Sequence, residues 1–220
     1  ATRAITGVHE YQSLINYNDS GSFNDLSAIG IKVLSPSGAT WSNDFVKIEA
    51  IRLLKDLEKG VYLDEDIQNT AQTDFCIGVA GYPEKHMEAP NMESDLHFLK
   101  KKMEGGADYI VTQMFFDNEK FFAFVKNCRE AGITAPIIPG LKPLATQKQL
   151  NMIPHRFHVD LPEALIKEVL KAKTREAVRE VGIEWCIAQS QELIKNGVPF
   201  LHYYSMGKSD NIHKVARAVF

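Results

Sequence analysis

FCIGVAGYPEKHMEAPNMESDLHFLKKKMEGGADYIVTQMFFD, residues 75–117, reads as a strand, a polar turn, an amphipathic helix and a second strand. The two apolar runs, Phe75 to Gly81 and Tyr109 to Phe116, are short and bounded by turn residues, as strands are. Between them Leu96, Leu99 and Met103 recur at helical spacing behind a capping Asn91 or Ser94, and Gly105-Gly106 stops the helix. The spacing suits a strand-helix-strand crossover. Each run ends in polar side chains, and parallel α/β folds bind ligands just beyond the carboxyl ends of their strands.

The same alternation continues outward from this stretch. Upstream, Asp44 caps a predicted helix in which Val46, Ile48, Ile51, Leu53, Leu54 and Leu57 form one face before Gly60. A polar connection, Val61 to Asp74, is longer than most loops and is expected to be functional or ordered by its own contacts. Downstream, a helix from Asn118 to Ala131 carries Phe121, Phe122, Phe124 and Val125, and Pro136 to Leu141 is a strand apolar enough to be covered on both faces. Helices follow at Gln147 to Met152, Pro162 to Lys171 and Thr174 to Asn196. Val178, Val181, Ile183, Trp185, Ile187 and Ile194 are the expected buried face of the last. Pro199 to Tyr204 is a strand, and Asp210 caps a closing helix.

Repeated βα units predict an α/β fold of (β/α)8 TIM-barrel type, in incomplete or truncated form, with residues 1–220 as a single domain. Residues 1–42 are poorly legible; Ala4 to Val8 and Ile29 to Leu34 are short apolar runs read as strands, the second closed by Ser35-Pro36-Ser37-Gly38. Four clear strands and these two fall short of eight, and a full barrel takes about 250 residues.

A net charge of -3 and 24% charged residues give no general attraction for nucleic acid or an anionic membrane, so a small-molecule ligand is expected. Cys76, Cys128 and Cys186 lack metal-type spacing and read as reduced core residues; no metal site is expected. With no apolar stretch near the roughly 20 residues of a membrane span, and no signal pattern at the N-terminus, the expected location is cytoplasmic.

Several residues carry chemistry on type and position alone. Tyr82 ends an apolar strand, where its ring can pack on a planar ligand or on a neighbouring loop. His86 and Glu88 follow in a loop with no third metal ligand at useful spacing. Asp95 and Lys102 are two helical turns apart and so share a face; an Asp can accept from a ribose hydroxyl and a Lys can neutralise a pyrophosphate. Lys100 and Lys101, beside it, read on residue type as a solvated helix end favourable to the macrodipole. Gln113 follows a strand, and its amide both donates and accepts, as the edge of a pterin requires. Lys208 lies past the last strand, in a Gly-Lys-Ser-Asp segment that also suits a surface cap. Phe115 and Phe116 read as core. A Gly-x-Gly-x-x-Gly dinucleotide motif is missing after any strand.

Five segments, in order, carry a family resemblance: Gly78-Val79-Ala80-Gly81-Tyr82-Pro83-Glu84-Lys85-His86, Glu88-Ala89-Pro90, Thr112-Gln113-Met114-Phe115-Phe116-Asp117, Ile138-Pro139-Gly140-Leu141-Lys142-Pro143 and His202-Tyr203-Tyr204-Ser205-Met206. From about Asn43 to Phe220 the chain resembles methylenetetrahydrofolate reductase, and the segments look like the fifth to eighth strands of that barrel. The resemblance implies a cytoplasmic flavoprotein oxidoreductase of one-carbon metabolism and methionine biosynthesis. It would use FAD and NADH or NADPH to reduce 5,10-methylenetetrahydrofolate to 5-methyltetrahydrofolate. It assigns Tyr82, His86, Ala89, Asp95, Lys101 and Lys102 to the flavin and Gln113 and Lys208 to the folate, with a homo-oligomer expected. The family's first-strand Glu, which protonates the folate N5, and its Arg-Gly-Asp after the fourth strand have no counterpart, so no catalytic acid is identified. The other reading is a catalytically incompetent half-barrel that keeps a flavin or pterin pocket or serves only as an assembly module.

Overall fold

A computed structural model describes residues 43–62, 66–205 and 209–220, with side chains from Ile51 onward. The predicted strands Ala4 to Val8 and Ile29 to Leu34, and the candidate Lys208, lie outside them. The elements in order are α1 (Asn43–Glu58), β1 (Gly78–Gly81), α2 (Met92–Glu104), β2 (Tyr109–Met114), α3 (Asn118–Glu130), β3 (Ile137–Leu141), α4 (Gln149–Phe157), α5 (Glu163–Lys171), α6 (Arg175–Lys195), β4 (His202–Tyr203) and α7 (Asp210–Val219). The sheet is parallel, its strands ordered β1-β2-β3-β4. Successive strands as neighbours, each pair joined through helix, is the arrangement of consecutive barrel strands. The α/β class expected from the sequence is therefore the one observed.

Two compact units divide the described residues: those up to Ala80 with Phe98–Ile110, and Gly81–His97 with Val111–Phe220. In the first, Ile77 and Asp108 are tied both ways. The Ile77 N–H donates to Asp108 Oδ2 at 2.7 Å, and the Asp108 N–H donates to the Ile77 carbonyl at 2.8 Å. Gly78 is obligatory beside them, since a Cβ there would strike the Tyr109 ring. Ile51 of α1 is fully buried, and the Glu58 carboxylate accepts from Lys55 Nζ at 3.0 Å and from the Phe75 N–H at 3.3 Å. Because Phe75 and Ile77 send their N–H groups to side chains, the ladder begins only at Gly78, three residues later than the apolar run suggested. Cys76 lies in that leading segment and is exposed, which corrects its expected place in the core.

In the second unit the apolar residues form two clusters. Met114 and Phe116 pack with Leu144, Ile153, Leu165 and Val169, whereas Phe115 packs with Phe121, Leu141, Ile183, Leu193 and Val215. Neighbouring residues enter different clusters because side chains alternate along an extended chain. Phe115 stacks on Phe121 with ring centroids 5.3 Å apart, and both phenylalanines of the Phe-Phe pair are core as expected. Cys128 and Cys186 are also buried, and burial pushes both thiols up to about 12. The real buried face of α6 is Val178, Gly182, Ile183, Cys186, Gln189, Ser190 and Leu193. Ile194, expected there, is exposed. Gly182 lets α6 lie against backbone, because a Cβ would collide with the Leu144 carbonyl.

Capping follows sequence in most places. The Asn91 side chain accepts from the Ser94 N–H at 2.8 Å, Asp117 from the Glu119 N–H at 3.0 Å, and Thr174 from the Ala177 N–H at 3.1 Å. At α7 the cap position is Ser209, without a side-chain bond, and Asp210 is the first helical residue, contrary to expectation. The expected last strand shrinks to two residues in register Gly140↔His202 and Leu141↔Tyr203, leaving Phe200 exposed. The helix expected at Gln147 to Met152 instead runs to Phe157. Its entry is fixed by Gln149 Oε1, which accepts from the N–H groups of Ala145 (2.7 Å) and Thr146 (2.9 Å). No described helix is long and apolar enough to cross a membrane.

Candidate functional site

At the carboxyl end of β1 the chain turns sharply. Lys85 takes a left-handed φ of 77°, and its N–H donates to the Tyr82 carbonyl at 3.1 Å. Its ammonium then bonds two carbonyls, those of His86 (3.0 Å) and Ala89 (2.6 Å), so the lysine braces the turn. Asp95, in the first turn of α2, accepts the His86 N–H at 2.9 Å through Oδ2. His86 Nδ1 accepts the Glu88 N–H at 3.2 Å, which places the proton of a neutral imidazole on Nε2. The His86 and Tyr82 rings meet edge to face, centroids 4.6 Å apart. His86, Ala89 and Asp95 are buried and Tyr82 is half-buried. The structure thus gathers four of the predicted residues, Tyr82, His86, Ala89 and Asp95, into one braced turn.

Glu84 lies inside that turn, its side chain 9% exposed. Its Oε2 accepts the Asp160 N–H at 3.1 Å and lies 3.5 Å from Lys120 Nζ, which also donates to Asp160 Oδ2 at 3.1 Å. Its Oε1 is buried with no hydrogen-bond partner among the described residues. Burial pushes the Glu84 carboxyl up to about 7, opposed by the Asp160 N–H bond and the Lys120 charge and helped by the nearby Asp160 carboxylate. The bond with Lys120 holds Asp160 below the usual carboxylate range and raises Lys120.

Beyond β2, Gln113 is half-buried and its Oε1 accepts the Met114 N–H at 3.0 Å. Its amide N–H2 donates to no described residue. Next to it the strand ends are closed by Tyr204, whose hydroxyl donates to the Thr112 carbonyl at 2.8 Å. Thr112 Oγ1 accepts the Gly140 N–H at 2.9 Å. Gly140 has no room for a side chain, because a Cβ would meet the Thr112 carbonyl and the Tyr204 ring. Burial pushes the Tyr204 phenol up to about 12.

In the first unit, Lys102 is 3% exposed, which is rare for a lysine, whereas Lys101 is exposed with its ammonium 5.7 Å from the Phe98 ring centre. Glu84 and Tyr204 were given no role in the sequence reading. Both stand inside segments that carried the resemblance, but their partners are far along the chain, at Asp160 and Thr112. A separate cleft of about 400 Å³ opens beside Asp117, Pro162, Trp185 and Glu192. There Asn118, Gln189 and Trp185 donate to one another or to the carbonyls of Phe115, Phe116 and Gln189.

A family model described as methylenetetrahydrofolate reductase matches residues 47–219. A Caenorhabditis elegans protein named probable methylenetetrahydrofolate reductase (NADPH) is 37% identical over 147 residues, 66% of this chain and 22% of that protein. The 5,10-methylenetetrahydrofolate reductase of Buchnera aphidicola is 33% identical over 181 residues, 80% of this chain and 62% of the relative. The chain thus spans from about a quarter to under two thirds of the curated relatives it matches. Among solved structures, a Clostridium thermocellum protein that binds two copies of 5-methyl-5,6,7,8-tetrahydrofolic acid aligns with a TM-score of 0.48 at 19% identity. That alignment covers 66% of this chain and 52% of the other.

Proposed function

The chain belongs to the methylenetetrahydrofolate reductase family, and from that premise we propose flavin-dependent reduction of 5,10-methylenetetrahydrofolate to 5-methyltetrahydrofolate, with NADH or NADPH as electron donor. The observation that carries the proposal is the braced turn after β1 with Gln113 at the end of the neighbouring strand. Relatives named for NADPH and for NADH support a nicotinamide donor.

FAD is the proposed cofactor, and the donor set of the second unit fits it. Tyr82 offers a half-buried aromatic edge for a planar ring, and His86 carries its proton on Nε2. The Gln113 N–H2, uncommitted among the described residues, suits the carbonyl edge of a flavin or pterin. When bound, FAD supplies the hydride relay between nicotinamide and folate; the protein's share is binding, orientation and exclusion of water. Asp95 contributes by holding the His86 backbone, and Lys85 by holding two carbonyls of the same loop.

The test is anaerobic. The purified chain is mixed with FAD and NADH or NADPH, flavin bleaching is followed, and methylenetetrahydrofolate is added to reoxidise it. Bleaching followed by folate-dependent return of colour is the expected result. Absence of bleaching with either donor sinks the reductase proposal for this chain.

A further inference from the structure

We propose that Glu84 is a positioning residue whose protonation, beside Asp160 and Lys120, sets whether the Tyr82–His86 turn is closed. That this turn serves a flavin rests on the function proposed above; the clamp itself does not.

Glu84 sits two residues from Tyr82 and two from His86, and it reaches away from the turn to elements distant in sequence. Its described charged neighbours are Lys120 on α3 and Asp160, just before α5, so two carboxylates face one ammonium. On its own turn, Lys85 is committed to the His86 and Ala89 carbonyls, and His86 Nδ1 lies 3.9 Å from Glu88 Oε2. With one proton on the Glu84 carboxyl the cluster is neutral, because Lys120 balances the Asp160 carboxylate. Without it the cluster carries one excess negative charge, and Oε1 is a buried anionic oxygen with no described donor. Opening the turn hydrates that oxygen. The geometry therefore couples loss of one proton near neutral pH to release of the loop that carries Tyr82 and His86, a direction the raised Glu84 carboxyl supports.

Hydrogen exchange of the Lys85 to Ala89 amides across pH 6 to 8 reads the clamp, in wild type and in Glu84→Gln. Glutamine keeps an acceptor for the Asp160 N–H but cannot ionise. The wild-type opening constant is expected to rise about tenfold over that range relative to the variant, since a carboxyl at about 7 ionises there while the open form is already ionised. Equal pH dependence in the two overturns the proposal, as does a Glu84 carboxyl signal that titrates in the ordinary glutamate range by carbon-13 resonance. Should Glu84→Gln not fold, Asp160→Asn reads the same clamp from an exposed position, and its Glu84 midpoint is expected to fall. An FAD titration of the same samples separates the two levels. Failure of every variant to bind FAD removes the flavin reading, whereas exchange alone decides the clamp.

Discussion

Two polar clusters in the second unit are built from opposite materials. The Asn118–Gln189–Trp185 cluster, where α3 meets α6, consists of amides and an indole bonded to each other and to backbone carbonyls. Glu192 joins only at its edge, accepting from Asn118 at 2.6 Å. The turn after β1 is held instead by ionisable groups, Asp95, Lys85, Glu84, Lys120 and Asp160, one with a buried oxygen that has no partner among the described residues. Neutral, mutually satisfied groups fix a shape independently of pH, whereas buried ionisable ones make the shape depend on protons. The first cluster is architecture; the second has the composition of a site.

The contrast can be broken from either side. Phe121→Ala removes a side chain 2% exposed that stacks on Phe115, and is expected to cost about 4 kcal/mol. Urea unfolding at pH 5 and pH 8 should give the same loss. A loss that grows with pH would tie the apolar side to the titrating one. For Glu84 the sign runs the other way from most carboxylates. Its folded pKa, about 7, lies above the ordinary 4.5, so its contribution is full below 4.5 and is lost as pH rises through 7, by about 3 kcal/mol. Wild-type stability should fall over that window and Glu84→Gln should flatten the curve in the same denaturant series.

Asp95→Ala leaves the buried His86 N–H without its carboxylate and is expected to cost about 2 kcal/mol. FAD affinity should weaken with it, read by quenching of flavin fluorescence. Unchanged affinity would detach the turn from the cofactor. Smallest is Tyr204→Phe, which deletes one hydrogen bond to the Thr112 carbonyl and is expected to cost about 1 kcal/mol.

Legibility in the sequence followed the range of the interactions. Helices with periodic apolar faces were readable, and so was the Asn91 cap, which bonds within three residues of itself. Strand ends were not. β1 starts late because Glu58 and Asp108 take the Phe75 and Ile77 N–H groups, and neither carboxylate announces this in the pattern. Among the site residues, the strand-helix pattern located Tyr82 and Gln113 by their place at strand ends. The braces were illegible for the same reason as β1: Glu84 meets Asp160 across 76 positions and Tyr204 meets Thr112 across 92. Ile194 was misplaced because α6 buries Gln189 and Ser190, polar residues whose partners only the fold supplies.

The Tyr204 tether has a kinetic corollary. β4 contributes only two ladder residues, and the phenol of Tyr204, directly after it, reaches past β3 to the carbonyl of Thr112 on β2, over a Gly140 that leaves no slack. That carbonyl and the glycine must already be side by side before the phenol has anywhere to dock. The geometry predicts that β2 and β3 join early and β4 closes last. The Tyr204→Phe loss should appear almost wholly in the unfolding rate, giving a φ-value near zero.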